Sequence, residues 1–327
     1  MIQGSFVEAH SSQNMPELET ASVRLVLESP PFERMHACCQ DTDCLACYQG
    51  EAFVDRFAQF LPERLRVLAE DGNYVLNFQS QVLDGRLSPT AYLLPKIIVE
   101  AGFRLIQEHT WAKPNASPMA PEKRLKNSSE RFWHFAKGAG YVFNKDAVRE
   151  PHLWAERDSR TRKYHPLGKD PGNVIMDSDC FSVPKSQDQT SFNHPGKMRD
   201  GIASRFIKLL SNPGDLIVDG FCGTGQTGVE ALALGRRFAG YELHGDRADR
   251  IRERLGIMED TQMMKPWLNA KEAAEYLGLS QATIYSKTSR KEIPAHKQGR
   301  IVRYHREELD AWLRGAALPS SAPTPAQ

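Results

Sequence analysis

The sequence has no apolar run approaching the roughly 20 residues that a membrane-spanning helix needs. Met1–Asn14 has neither a basic start nor an apolar stretch, which excludes a secretory signal there and makes a cytoplasmic location the expectation. Cysteine is scarce, six in 327 residues, and Cys38, Cys39, Cys44 and Cys47 are bunched. That spread is not the framework of a disulfide-stapled domain, so a reducing compartment is expected. No Gly-x4-Gly-Lys-Ser/Thr stretch occurs, which excludes a P-loop. No internal repeat recurs, and 42 Lys+Arg against 41 Asp+Glu leave a net charge of only +1. What remains is ordinary: 40% hydrophobic and 25% charged residues, enough for buried cores and, at this length, for roughly two domains.

The balanced total hides a regional split. Residues 1–111 sum to −7, 112–170 to +6, 171–264 to −2 and 265–327 to +4. Two basic segments among acidic ones suit a polyanionic partner, although charge alone describes solvated surface equally well.

Hydrophobic periodicity places the elements. Ser22–Leu27 reads as a strand ended by the prolines of Ser29-Pro30-Pro31-Phe32. Ala52–Glu70 reads as one helix, Asp71-Gly72-Asn73 as a turn and Tyr74–Phe78 as a strand. Leu93–Ala101 reads as a helix and Phe103–Trp111 as a strand, so the first third alternates strand and helix as a parallel α/β sheet does. Residues 113–193 break the rhythm with Pro, Ser, Asn and basic residues among aromatics. The rhythm resumes with a helix at Ile202–Leu210, a strand at Leu216–Asp219, a helix at Gly225–Leu234, a strand at Arg237–Glu242 and a helix at Asp246–Leu255. A Met-rich joint, Met258–Pro266, leads to a small helical unit.

Asp219-Gly220-Phe221-Cys222-Gly223-Thr224-Gly225-Gln226-Thr227 is a strand end, a glycine turn and a helix start. Glycines let backbone pass beneath a ligand, and the helix start offers unpaired N–H donors. A strand ending in Glu242 follows, an acid placed to meet ribose hydroxyls. By itself such a turn is equally a tight strand–helix connection. Ser29-Pro30-Pro31-Phe32 also follows a strand, so in a parallel sheet the two loops share one edge. Ser29 and the Pro30 carbonyl offer acceptors and Phe32 a stacking face, together suited to a planar base with an exocyclic amine.

Ser-Pro-Pro-Phe early and Asp-x-Phe-x-Gly-x-Gly-x-Thr late, with Glu242 beyond, resembles the DNA amino-methyltransferases of the circularly permuted β group. Trp111-Ala112-Lys113-Pro114-Asn115, Ser129-Glu130-Arg131 and His194-Pro195-Gly196-Lys197 extend the resemblance over about residues 1–255. It implies a Rossmann-like α/β sheet and an S-adenosylmethionine (AdoMet) site. Ser29, Pro30, Pro31 and Phe32 would hold the target base. Asp219, Phe221, Gly223, Thr224, Gly225 and Thr227 would cradle the cofactor, Glu242 its ribose, with His194, Lys197 and Ser5 nearby. Ser5 stands where the family often has Asp, Glu28 where it has Thr or a small residue, and Gly220 and Arg199 where it has Pro. Ser before Pro-Pro is the cytosine-N4 type; a hydroxyl that accepts from the amine and donates toward ring N3 suits cytosine. Adenine N6 on the same scaffold, or a DNA-binding regulator with a decayed enzyme half, are the alternatives. Cytosine C5 chemistry needs Pro-Cys, and none of the 20 prolines precedes Cys.

The expected organisation is a methyltransferase domain over 1–262, with a target-recognition insertion over about 113–193. A helix-turn-helix domain over 263–315 and a tail over 316–327 follow. Basic and aromatic residues in the insertion, Lys123, Arg124 and Lys126 among them, suit contacts to double-stranded DNA. Ala270–Ser280, a helix at Gln281–Ser289, a hairpin over Pro294–Tyr304 and a helix at Arg306–Leu313 resemble an excisionase-type winged helix-turn-helix. Lys287, Arg290, Lys297, Arg300 and Arg303 would face DNA there; the same fold also binds proteins. Cys44-x2-Cys47 with Cys38 or Cys39 and His36 has zinc-ligand types in one short loop, and a loop of reduced thiols is the plainer reading.

Overall fold

The computed structural model describes residues 4–33, 44–113, 123–152, 165–176, 201–257, 267–298 and 301–313. The chain divides into two compact units, Met1–Ile257 and Met258–Gln327. His36, Cys38, Cys39, His194, Lys197 and Arg300 lie outside the described residues.

The larger unit is built on β1 (Phe6–Glu8), β2 (Val23–Glu28), α1 (Gly50–Ala58), α2 (Leu61–Val67), β3 (Leu68–Phe78), α3 (Thr90–Glu100), β6 (Arg104–Ala112), β7 (Ser129–Ala136), β8 (Val174–Met176), α4 (Ile202–Leu210), β9 (Leu216–Asp219), α5 (Gln226–Ala233), β10 (Arg237–Tyr241) and α6 (Gly245–Leu255). A small hairpin, β4 (Val82–Leu83) and β5 (Arg86–Leu87), precedes α3. One eight-stranded sheet runs β1-β10-β9-β2-β3-β7-β6-β8, parallel at every pairing except the two that β7 makes.

The sheet is covered on both faces because its strands alternate apolar side chains to each. Val26, Tyr74, Leu76, Val218 and Tyr241 pack with Phe53, Phe57 and Leu61 of α1 and α2 and with Leu94 and Ile98 of α3. Leu25, Leu27, Val75, Ile217 and Phe238 pack with Phe206 and Ile207 of α4, Ala231 of α5 and Ile251 of α6.

Three expectations are corrected. The single helix over Ala52–Glu70 is two, because Pro62 stands in the first turn of a new helix and breaks the run after Ala58. The turn at Asp71-Gly72-Asn73 lies inside β3: the partners of Val23 and Leu25 are Leu68 and Asn73, so the extra residues form a bulge. Ser129–Ala136, placed in the recognition insertion, is the long strand β7, inside the sheet between β3 and β6. Its Phe132 and Phe135 are buried core residues rather than a base-stacking surface.

The smaller unit contains β11 (Trp267–Leu268), α7 (Ala270–Leu277), α8 (Gln281–Ser289), β12 (His296–Gln298), β13 (Ile301–His305) and α9 (Arg306–Leu313). Gly278 (φ +65°) turns the chain after α7, and Ser280 Oγ caps α8 by accepting from Thr283 N at 3.1 Å. Leu268, Ala273, Ile284, Ile293, Tyr304 and Leu309 form its own core, with β12 and β13 as an antiparallel wing.

Candidate active site

Parallel register brings the two motif loops together. Val26 stands beside Val218, so Glu28 at the end of β2 is level with Gly220 just beyond β9. Glu28 also stands beside Leu76, which puts Ser29 level with Asn77 of β3. Tyr241 is paired with Glu8, and the Glu242 amide donates to the Glu8 carbonyl at 3.0 Å. Glu8, Glu242, Gly220, Ser29 and Asn77 therefore share the carboxyl edge of the sheet, where open α/β folds bind ligands.

Ser29 Oγ donates to Asn77 Oδ1 at 2.8 Å. Asn77 Nδ2 donates to the Arg131 carbonyl at 3.0 Å and to Glu130 Oε2 at 3.3 Å. Both of those partners only accept, so the amide is held with its oxygen toward Ser29 and the hydroxyl proton is spent on Asn77. The Ser29 oxygen is left as an acceptor at the edge. This removes the argument that the hydroxyl donates toward a cytosine ring nitrogen. Glu130 in turn binds Lys113 Nζ, which lies over the Trp111 ring, 3.7 Å from its centroid. Pro30 is buried and Pro31 half-buried. Phe32 is 7% exposed and its ring packs edge-on to Phe78 at 5.0 Å, so core packing occupies the ring expected from the sequence to meet the base.

The glycine turn carries buried acids. Asp219 Oδ1 accepts from Phe221 N at 3.0 Å and its carboxylate also bonds the Thr227 side chain. Glu242 Oε2 accepts from Gly223 N at 3.1 Å. Gly223 (φ +54°) and Gly225 (φ +74°) take left-handed conformations that leave little choice but glycine. The Thr224 carbonyl accepts from Arg254 at 2.6 Å. Burial raises the Asp219 carboxyl to about 7; bonds from Phe221 and Thr227 oppose this, and the charges of Glu28 and Glu242 add to it. Burial raises Glu242 as well. The Cys222 thiol, buried and pushed well up, is inert packing. A turn whose acids crowd one another in a dry setting fits a cationic ligand, and AdoMet carries a sulfonium.

Ser5 is not brought to this edge. It precedes β1 at the opposite end of the sheet, and its hydroxyl accepts from Phe238 N at 3.0 Å. The acid that β1 delivers to the ligand edge is Glu8, which sequence reasoning misses. Glu28, unexplained in the sequence, faces the core instead of an anionic substrate. Cys47 is disulfide-bonded and so supplies no thiolate.

Of the residues expected to meet DNA, Lys123, Arg124 and Lys126 are exposed. In the smaller unit Lys297 and Arg303 are exposed on the wing and Arg290 follows α8. Lys287 pairs with Glu292 at 3.4 Å and lies over Trp312, so it is partly used within the unit.

Comparison with known proteins agrees with this geometry. Residues 23–253 match the family model described as DNA methylase, and residues 267–317 match a helix-turn-helix domain. The chain is 25% identical over 273 residues to the type II methyltransferase M.PvuII of Proteus hauseri, covering 73% of this chain and 80% of that protein. It is 26% identical over 250 residues to the DNA adenine methyltransferase YhdJ of Escherichia coli K12, covering 74% and 79%. The solved structure of PvuII DNA methyltransferase (cytosine-N4-specific) superposes with a TM-score of 0.59 at 21% identity, over 87% of this chain and 91% of that one. TTHA0409 of Thermus thermophilus, complexed with S-adenosyl-L-methionine, superposes with 0.52 at 23%, over 77% and 93%. At those identities the structures speak for the fold alone. With the Ser29–Phe32 loop and a glycine turn on adjacent strands, and a family match over most of its length, the chain belongs to the N6/N4 DNA methylase family and carries a helix-turn-helix domain.

Proposed function

We propose that this DNA methyltransferase transfers the methyl group of AdoMet to the exocyclic N4 amine of a cytosine turned out of duplex DNA. The observation that carries the reading is the acceptor-only oxygen of Ser29, one strand away from the glycine turn. An exocyclic amine is a poor nucleophile because its lone pair is delocalised into the ring. The Ser29 oxygen and the Pro30 carbonyl, as acceptors, draw the two amine protons and favour a more tetrahedral nitrogen. AdoMet, when bound, supplies an electrophilic methyl on sulfur. Asp219, Phe221, Thr224 and Thr227 with the two glycines would hold it, and Glu242 its ribose. Asn77 is an amide and takes up no proton, so the Ser29–Asn77 pair orients the nitrogen and the amine proton leaves to water. Phe32 anchors the Pro-Pro loop to the core.

The choice of cytosine rests on Ser before Pro-Pro and on the relative named as cytosine-N4-specific. The adenine enzyme among the relatives makes N6 transfer the competing outcome. The smaller unit would add a second DNA contact through α8 and its wing, with Lys297, Arg300 and Arg303 on phosphates. Transfer of labelled methyl from AdoMet to duplex DNA tests the assignment. Ser29→Ala is expected to lower the rate roughly a hundredfold with AdoMet affinity intact; an unchanged rate would remove Ser29 from the site.

A further inference from the structure

Glu28 and Gly220 both depart from the family pattern, and the structure joins them through one side chain, Arg64 of α2. Arg64 and Glu28 are fully buried, with Arg64 Nη2 3.0 Å from Glu28 Oε2. Arg64 Nε donates to Glu28 Oε1 at 3.4 Å, and Tyr74 Oη donates to the same oxygen at 2.8 Å. Arg64 Nη2 donates to Ser12 Oγ at 2.7 Å and Nη1 to the Ser12 carbonyl. The guanidinium thus has partners at Nε and at both terminal nitrogens. It also lies over two rings, 5.1 Å from the Phe60 centroid and 5.4 Å from that of Phe221 in the cofactor turn.

A Cβ on residue 220 would stand 2.2 Å from Arg64 Nη2, 2.6 Å from Glu28 Oε2 and 2.9 Å from Ser12 Oγ. The buried pair therefore leaves no room for a side chain at 220. Stability alone does not account for the pair, since a buried ion pair is commonly matched or bettered by apolar groups of the same volume. What the pair does that apolar groups would not is place a flat cation, fixed by Glu28, against the ring of Phe221.

We propose that Arg64, clamped by Glu28, is a positioning residue for the cofactor turn. Its guanidinium fills the space vacated at Gly220 and fixes the Phe221 ring in the orientation that receives AdoMet. This rests on reading the turn as the AdoMet site.

The test uses the full chain, with AdoMet titration calorimetry, steady-state DNA methylation and thermal melting. Arg64→Met strands a buried carboxylate and is expected to lower both melting temperature and AdoMet affinity. Glu28→Leu with Arg64→Met removes both charges and is expected to recover melting while AdoMet affinity stays about tenfold or more below wild type, with KM for DNA unchanged. Gly220→Pro alone is expected to abolish AdoMet binding, and Glu28→Thr/Arg64→Met/Gly220→Pro to regain most of it. A double variant that melts and binds AdoMet like wild type overturns the proposal. Should the double variant not fold, Arg64→Lys decides. It keeps the charge but loses the planar fork, so weakened AdoMet binding supports the proposal and wild-type binding overturns it. Wild-type protein that binds no AdoMet overturns the site reading itself, an outcome distinct from the others.

Discussion

Asn77 takes the Ser29 proton, so at the proposed base site Ser29 would offer only an acceptor. Asn77→Ala frees the Ser29 proton and removes the amide that orients it. Methyl transfer is expected to fall about tenfold in kcat with AdoMet affinity unchanged, which single-turnover kinetics and calorimetry separate. Asp219 sets a pH dependence. Its carboxyl lies near 7 because burial and the charges of Glu28 and Glu242 disfavour the anion. A cation beside it favours ionisation, so AdoMet affinity is expected to rise as pH goes up through 7, with proton release in calorimetry. A flat profile, or Asp219→Ala binding like wild type, would take this acid out of the site.

Single elements carry the next layer. On β6 and β7 the rings of His109 and His134 are buried, with centroids 6.3 Å apart. Burial lowers His109 to about 4, helped by the charge of Arg205, and lowers His134 to about 3, helped by His109. His134 Nε2 bonds Asn73 Oδ1 at 2.9 Å, whereas neither His109 nitrogen has a hydrogen-bond partner among the described residues. Both histidines bind protons more readily when unfolded, so stability is full above pH 6.5 and falls as pH drops toward 4. The raised Asp219 has the opposite sign: its contribution worsens as pH rises from about 4 to 7. His109→Phe, replacing an unpartnered ring that packs on Phe206, is expected to melt at or above wild type at neutral pH. Its acid decline should be shallower, and an unchanged slope in melting between pH 6.5 and 4.5 would contradict this.

The same elements show what the sequence makes legible. Ser29-Pro30-Pro31-Phe32 and Asp219–Thr227 are local in sequence, so their places at strand ends are readable, whereas the burial of Phe32 and the partner of the Ser29 hydroxyl are not. Asn77 and the Glu28–Arg64 pair depend on the register of β2 against β3 and β9, which no local pattern states. One signal is present: Arg64 stands on the apolar stripe of Phe57, Phe60 and Leu61, and Glu28 is the lone acid of β2, directly after the apolar run Leu25-Val26-Leu27. Ser129–Ala136 is hidden because its run Phe132-Trp133-His134-Phe135 lies in a segment rich in Lys and Arg, a composition shared by nucleic-acid-binding loops.

At the level of the molecule, two units with separate cores predict separable functions. A chain ending at Ile257 is expected to bind AdoMet like the full chain and DNA less tightly. Its salt slope should be smaller by about 0.9 for each phosphate that the smaller unit would have neutralised; equal affinity and slope would leave the smaller unit without a DNA role. The methyltransferase assignment itself is tested by nucleoside mass spectrometry of DNA modified by the full chain. The expected product is N4-methylcytosine, absent when Ser29 is changed to Ala. N6-methyladenine as the sole product would contradict the cytosine assignment and leave the cofactor site standing, and unmodified DNA from protein that binds AdoMet would contradict the reaction proposed for the site.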